Sequence, residues 1–436
     1  MFKKLIKKLI QIWKIKDLRN NILFVLAMLV VFRIAANIPM TGVNVAALKD
    51  YFSNNQFLGL VNIFTGGGMS NFSVVMLGIG PYITSSIIFQ LLTMIVPRLE
   101  EMNKEESGRK KINQYTRIAT VPLAMLQAYG MITLLSRTSS TQIIPELDIW
   151  KYITMIITIT GGTMFLVWLG ELISEKKIGN GISIIIFAGI VASIPTTIGQ
   201  TIAATFNFDT HTFEFSQMGS LLSFGVIAIF TTAVIVYISE AQRNVPVSYA
   251  KRVRGMKMYG GMDTHLPLKV NQAGMIPIIF AISIIMFPPM IAQFFARSSH
   301  QWLLWMSNFI LDLFANQLFY GILYFSLVVA FTYFYTSIIF HPKQIAENLQ
   351  KQGAFIPGIR PGSMTEEYLG NTVHKIVFTG ALFLGGVAVV PLLMQIVVEA
   401  PWLTISGASL LIVVGVVLES MKQIDSQLTM RDYEGF

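Results

Sequence analysis

Residues 51–97 read YFSNNQFLGLVNIFTGGGMSNFSVVMLGIGPYITSSIIFQLLTMIVP and contain no charged side chain. The run is more than twice the roughly 20 residues that one helix needs to cross a bilayer. Its second part, 74–96, is apolar enough for a complete span, whereas its first part is polar and rich in glycine. Irregular backbone at membrane depth is tolerated only where protein buries it or where it lines a water-filled cavity. We therefore expect residues 57–71 to form a half-helix or re-entrant element beside a cavity, with an ordinary external loop as the alternative.

Long uncharged runs recur along the whole chain of 436 residues. Hydrophobic residues make up 53% of the chain and charged residues only 13%, which is about half the charged share of a typical soluble domain. This composition predicts a membrane protein, and each apolar stretch is long enough for one span. The stretches are 20–48 (interrupted by Arg33), 51–97, 118–136, 152–170, 178–208, 215–239, 270–296, 313–342, 376–398 and 400–418. They predict ten transmembrane helices.

Lysine and arginine are distributed unequally between the two sets of loops. With ten spans, the side that holds both termini carries 27 of the 32 basic residues, and the opposite side carries 4. Because basic residues favour the cytosolic side of a membrane, we expect both termini in the cytosol. Residues 1–17 place apolar side chains on one helical face and lysines on the other, so this segment is expected to rest on anionic lipid.

The chain offers little for catalysis. It has no cysteine, its five histidines form no local motif, and the usual zinc, nucleophile and phosphate-loop motifs do not occur in it. We expect no enzymatic activity, no metal and no cofactor. A small-molecule secondary transporter is the alternative from another class, although the middles of the apolar stretches lack the acidic residues that proton or ion relays use. Arg33 can be explained as an arginine that reaches the membrane surface with its charged end.

Two cytosolic loops, 240–269 and 341–371, are large and basic. The first partly alternates and contains residues that favour strands, which predicts a short hairpin protruding into the cytosol. In the second, proline and glycine around Arg360 impose fixed turns, so that tip is not expected to be helical. Such charge often serves only to set topology, but a rigid frame around one arginine favours docking of an acidic partner or of RNA through its phosphates.

Several strings resemble the SecY family, the pore subunits of the bacterial protein translocase. They are GIGPYITSSIIFQLL (78–92), GRKKINQYTR (108–117), GNGISIIIFAGI (179–190), LPLKVNQAGMIP (266–277) and GAFIPGIRPG (353–362). The resemblance runs in order from about Asp17 to about residue 425 and therefore covers nearly the whole chain.

This resemblance implies an all-α polytopic membrane protein with ten transmembrane helices around an hourglass pore. Two pseudo-symmetric five-helix halves, 18–205 and 206–420, would be followed by a cytosolic tail, 421–436. The element at about 57–71 would be a plug on the external side of the constriction, with the residues Asn62, Phe64, Gly66, Gly67, Gly68 and Ser70. The constriction itself would be a ring of Ile79, Ile83, Ile182, Ile186, Ile279 and Ile412. A narrow ring of branched apolar side chains excludes water and so holds back ions.

The family also implies a lateral gate between spans 2–3 and 7–8, which lets an apolar helix pass sideways into lipid. Its polar residues in this sequence would be Thr84, Gln127 and Asn271. The two basic loops would receive the SecA motor or the ribosome through Arg243, Lys251, Arg252, Lys257 and Arg360. Asn244 departs from the family, since many relatives have a second arginine there.

We therefore expect a protein-conducting channel in a bacterial plasma membrane that passes unfolded secretory proteins and releases membrane-protein helices into lipid. The resemblance implies SecE-like and SecG-like subunits, energy from SecA or the ribosome, and signal sequences and unfolded polypeptides as clients. An accessory SecY paralogue with a narrow client set stays open beside the small-molecule transporter.

Overall fold

The chain folds mainly as helices. The structure, a computed structural model, describes residues 10–434 except for 54–61, 63–64, 137–147, 208–211, 214, 250–251, 255–256, 260–262, 296–299 and 399–406. The helices in this part of the chain are α1 (Lys16–Asn37), α2 (Val45–Ser53), α3 (Gly80–Ile95), α4 (Pro97–Lys104), α5 (Glu106–Ser136), α6 (Ile149–Glu175), α7 (Gly181–Thr205), α8 (Phe215–Glu240), α9 (Ile276–Phe295), α10 (Gln301–Ala315), α11 (Gln317–Ile339), α12 (Pro342–Lys351), α13 (Ser363–Val398) and α14 (Gly407–Glu434). The strands are β1 (Phe206–Asn207), β2 (Thr212–Phe213), β3 (Gln242–Tyr249), β4 (Arg252–Arg254), β5 (Lys257–Tyr259), β6 (Asp263–Lys269) and β7 (Ala354–Phe355).

A helix overlaps each of the ten apolar stretches. Over the described residues, four helical segments are long and apolar enough to cross a membrane, namely Lys16–Asn37, Ile149–Glu175, Gln317–Lys351 and Ser363–Val390. Helices α3 and α4 together would be a fifth, although the pair bends by 105°. The bend lies at Val96, whose extended backbone is the one favoured immediately before a proline. Shorter apolar helical segments are Gly181–Pro195, Gly225–Glu240 and Ile276–Pro289.

The chain divides into two compact units. The first consists of Met1–Met218, Ser283–Ala315 and Ile412–Phe436, and the second consists of Gly219–Ile282 and Asn316–Leu411. The division therefore passes through α8, α9 and α14.

The core of the first unit contains side chains from residues 65–79, which we call the glycine-rich stretch. Met69, Phe72 and Met76 are at most 3% exposed and pack against buried side chains of α2, α5 and α6. Those side chains are Leu48, Ala128, Ile132, Leu135, Met155 and Ile159. Since full burial of one large apolar side chain contributes about 1.5–3 kcal/mol, residues 65–79 are an integral part of this core.

In the second unit, α11 and α13 pack closely along one another. A Cβ atom on Gly385 would lie 2.7 Å from the Phe325 ring, and one on Gly321 would lie 3.4 Å from Leu392. Small residues of this kind let helices approach closely in membranes. The first turns of α9 join this pair through Phe280, whose ring meets those of Phe331 and Tyr335 edge to face.

Helix α6 approaches the glycine-rich stretch closely at Gly162. A Cβ atom on Gly162 would overlap the backbone carbonyl group of Val74, whereas one on Gly161 would meet no atom within 4 Å. Only a glycine at position 162 therefore lets the two backbones come this close.

Replacement of Gly162 by alanine should destabilise the protein, because α6 and the segment around Val74 must then move apart. We expect Gly162→Ala to lower the free energy of unfolding by about 1–3 kcal/mol, the usual cost of overpacking, and to lower the melting temperature in detergent. Gly161→Ala is the matched control, and it should keep or raise that temperature, since alanine favours helix over glycine by about 1 kcal/mol. Equal melting temperatures for the two variants would contradict the close approach.

Candidate functional site

Asn62 accepts hydrogen bonds from residues 65–70, which we call the glycine turn. Its carbonyl oxygen accepts hydrogen bonds from Gly67 N at 2.9 Å and Thr65 Oγ1 at 3.0 Å, and its Oδ1 accepts one from Ser70 N at 2.9 Å. Gly66 and Gly67 have φ of +68° and +80°, which favours glycine. The predicted plug residues Asn62, Gly66, Gly67, Gly68 and Ser70 thus lie together. Phe64 and residues 57–61 lie outside the described residues.

Residues 71–74, which we call the anchor, are tied to the chain that follows α1. Met40 N donates a hydrogen bond to Phe72 O at 2.9 Å, and Val74 N donates one to Ile38 O at 3.2 Å. Phe72 is completely buried with φ of +45°, a conformation that is unfavourable for a bulky residue. Its burial among the core side chains offsets this cost.

Arg33 reaches the glycine turn from α1. Its Nη1 donates a hydrogen bond to Gly66 O at 2.6 Å, and the side chain is half-buried. Sequence reasoning gave Arg33 no role beyond reaching the membrane surface. The position of Arg33 could have indicated a role, because a lone charge within a membrane span is a functional-site hypothesis by default.

The six isoleucines of the predicted ring are divided between the units. Ile79, Ile83, Ile182, Ile186 and Ile412 belong to the first unit, and Ile279 belongs to the second. Ile83 N donates to Ile79 O at 3.1 Å, so these two residues are one helical turn apart and share a face. Ile182 and Ile186 have the same spacing on α7. Ile79, Ile186 and Ile412 are at most 5% exposed, and the other three are half-buried.

The three predicted gate residues have different surroundings. Thr84 belongs to the first unit, and its Oγ1 donates to Gly80 O of its own helix at 3.1 Å. Gln127 is half-buried on α5 in the same unit. In the second unit, Asn271 Oδ1 and the neighbouring Gln272 Oε1 are buried without a hydrogen-bond partner among the described residues. Buried polar atoms normally have a partner, so these two oxygen atoms are exceptions within the described part of the chain.

A three-stranded sheet joins the two basic loops, both of which lie in the second unit. Strands β3 and β6 pair in antiparallel register, with Arg243 opposite Leu268 and Ser248 opposite Asp263. This confirms the hairpin predicted within 240–269. Strand β7 of the other loop pairs with β3 at Ser248 and Tyr249, which makes the order β6-β3-β7.

One face of this sheet packs on α13. Val245, Val247 and Leu268 are at most 3% exposed and share a cluster with Ile356 and Leu369. The two loops are therefore one supported surface rather than two independent segments.

Arg360 lies on a tip of turns, as predicted. Gly358 and Gly362 on either side have φ of +82° and +103°, and Arg360 is exposed. Thr365 Oγ1 donates to Arg360 O at 2.9 Å, so the first turn of α13 holds the tip. Arg243 is also exposed, on β3. Lys251 and the side chains of Arg252 and Lys257 lie outside the described part of the chain.

Comparison with known sequences gives a consistent result. Residues 73–421 match the sequence model of the SecY family. The protein translocase subunit SecY of Streptomyces galbus is 43% identical over 96% of this chain and 97% of its own length. The protein translocase subunit SecY of Escherichia coli K12 is 42% identical over 96% of this chain and 93% of its own length. The chain belongs to the SecY family.

Solved structures share the fold of this SecY-family chain. One described as a protein-conducting channel has a TM-score of 0.64 and 16% identity, and covers 92% of this chain and 90% of its own. A SecY structure whose plug domain is described as stabilising the closed state has a TM-score of 0.64 and 17% identity over the same shares. Sec61 in a canine ribosome–channel complex has a TM-score of 0.62 and 16% identity, again over the same shares. At this level of identity a match shows the fold alone. The shared fold confirms the predicted class of polytopic helical protein.

Removal of the Thr365 hydroxyl should loosen the Arg360 tip, because the carbonyl oxygen of Arg360 then loses the hydrogen bond that holds it to α13. We expect Thr365→Val to raise amide hydrogen exchange over residues 357–362, since one such bond contributes about 1 kcal/mol. Met364→Leu, at an exposed neighbouring position, is the control and should leave the exchange unchanged. Unaltered exchange in Thr365→Val would mean that this bond does not hold the tip.

Proposed function

We propose that this chain is the channel subunit of a protein translocase. It passes unfolded secretory proteins across the membrane and releases membrane-protein helices sideways into lipid. The observation that carries the proposal is 43% identity, over 96% of the chain, to a protein translocase subunit SecY. Membership of this family also speaks against a small-molecule transporter. The chain acts as a conduit and not as a catalyst.

The proposed topology has ten spans in two halves, 18–205 and 206–420, with both termini in the cytosol of a bacterial cell and the spans in its plasma membrane. A helix over each apolar stretch and the excess of basic residues on one side of the membrane support this arrangement. The amphipathic segment 1–17 would rest on anionic lipid; residues 1–9 of it lie outside the described part of the chain.

The residues at about 57–71 act as the plug, and the six isoleucines act as the constriction. Support for the plug comes from the glycine turn, whose backbone is not helical and is held together by hydrogen bonds around Asn62. Branched apolar side chains suit the constriction, because they exclude water when the pore is narrow and bind no particular side chain of a passing polypeptide.

The lateral gate would involve Thr84, Gln127 and Asn271. The Oδ1 of Asn271 is buried without a hydrogen-bond partner among the described residues, which fits a seam whose polar groups change partners when it opens. Hydrogen bonds between helices in membranes average about 0.6 kcal/mol, so a few of them can close a gate without sealing it permanently.

Energy would come from a partner docked on the basic loops, either the SecA motor or the ribosome. The shared sheet and the exposed Arg243 and Arg360 support this, because the sheet packs on α13 and exposed arginines suit acidic side chains or RNA phosphates. The Sec61 relative of similar fold was solved in a ribosome–channel complex. SecE-like and SecG-like subunits would complete the channel.

Photocrosslinking tests the proposed function directly. With a photoreactive residue in place of Ile83 and a secretory precursor stalled during export, we expect a crosslink to the mature part of the precursor, dependent on its signal sequence. The control position is Ile88, which is 41% exposed and lies about 140° further round α3; it should give little or no crosslink. Absence of a crosslink at Ile83 with several unrelated precursors, in folded protein, would contradict a general translocation channel.

Charge reversal at the loop tip tests the docking surface. Arg360→Glu should reduce SecA-driven export into vesicles roughly tenfold or more, because a charge-assisted contact contributes about 1.5–3 kcal/mol and reversal adds repulsion. Lys343→Glu reverses an exposed charge in the same loop but outside the proline–glycine frame, and it should export at nearly the normal rate. If the two variants export equally, Arg360 has no special part in docking.

A further inference from the structure

We propose that Arg33 is the latch of the plug, a positioning residue that keeps the glycine turn in its closed place. The inference rests on the proposed channel function and adds to it a specific residue on α1. The latch is the hydrogen bond from Arg33 Nη1 to Gly66 O, 2.6 Å long.

The contact between Arg33 and Gly66 is strong. The donor is a guanidinium group, and hydrogen bonds from charged donors are about twice as strong as those between neutral groups. Arg33 is half-buried and lies within an apolar stretch, where the effective dielectric constant is lower than in water and the bond is correspondingly stronger. A charge in such a position is costly unless it is paired or hydrated, so the carbonyl group of Gly66 stabilises Arg33 as well.

Gly66 fits closely between two helices. A Cβ atom on this residue would lie 2.9 Å from both Gly189 Cα on α7 and Phe32 Cζ on α1. The turn therefore sits against two helices, and only a glycine with φ of +68° presents its carbonyl group to Arg33 from there. Packing against α1 and α7 therefore holds the carbonyl group of Gly66 in place for the Arg33 side chain.

The anchor and the glycine turn are attached to the rest of the protein in different ways. The anchor is bound to the chain after α1 by backbone hydrogen bonds at Met40 and Val74. The glycine turn has its own internal bonds around Asn62, and its polar link to α1 among the described residues is the Arg33 side chain. Breaking that bond removes the polar link between the turn and α1. The turn is then held by the packing of Met69 and by its backbone bonds to the anchor, Ser73 N to Gly68 O among them, and the anchor serves as its hinge.

The test is the conductance of the purified channel complex in planar bilayers of stated lipid composition in KCl, with no precursor present. Arg33→Met keeps an apolar stem but removes the donor and the charge, and it should raise the fraction of time open roughly 10- to 100-fold. Arg33→Lys restores a charged donor and should return most of the closed state. Arg19→Met removes an arginine from the other end of α1 and should behave as the wild type.

A second readout follows the turn itself. The chain has no cysteine, so Ser70→Cys provides a single label site in the glycine turn. An impermeant maleimide should label it faster in the Arg33→Met background than in the Arg19→Met background. Gly66→Ala, which displaces the same carbonyl group without touching Arg33, should raise both conductance and labelling, and it decides the matter if Arg33→Met does not fold.

The outcomes separate the latch from the channel function. If the wild type transports precursors while Arg33→Met and Gly66→Ala leave conductance and labelling at wild-type values, the latch is wrong and the channel stands. If the wild type transports no precursor, the proposed function is wrong. In that case the labelling rate of Ser70→Cys still decides whether Arg33 holds the turn.

Discussion

A polypeptide backbone at membrane depth has no water to bind, so its amide and carbonyl groups must find partners inside the protein. Helices meet this constraint by themselves, but the glycine turn and the anchor cannot. They meet it with the side chains of Asn62 and Arg33 and with backbone bonds to the chain after α1. The first unit is therefore built around a non-helical element whose polar groups are satisfied from several directions.

Close packing follows from the same constraint. The glycine turn and the anchor must lie directly against the helices for their polar groups to reach partners. Glycine at positions 66 and 162 permits this contact, because a side chain at either position would overlap neighbouring atoms. Met69, Phe72 and Met76 then contribute to the core. In the plug role that we propose, the glycine turn also needs few polar bonds to the surrounding helices. Its polar link to α1 among the described residues is the charge-assisted bond from Arg33 to Gly66, which is strong when made and leaves two groups that water can hydrate when broken.

The sheet of the second unit meets a different requirement. The docking surface that we propose must transmit force, and a long loop alone would yield to it. Here β7 of one loop completes a sheet with the hairpin of the other, and that sheet packs on α13 through Val245, Val247 and Leu268. The Arg360 tip is tied to the same helix through Thr365. The exposed arginines therefore stand on a supported frame.

The amino-acid sequence by itself determined that this is a helical membrane protein. Uncharged runs long enough to span a membrane and an unequal distribution of lysine and arginine can both be read from the order of residues alone. The strings around Ile79, Ile182 and Arg360 indicated the family. Partial alternation and residues that favour strands predicted the hairpin, and proline and glycine around Arg360 predicted the non-helical tip. Only the tertiary structure decided that β7 joins the hairpin, that Gly162 meets Val74, and that Arg33 bonds Gly66. Each of these contacts joins residues at least 33 positions apart. A local pattern specifies which groups need partners, but the partner is chosen by the packing of helices that are distant in sequence.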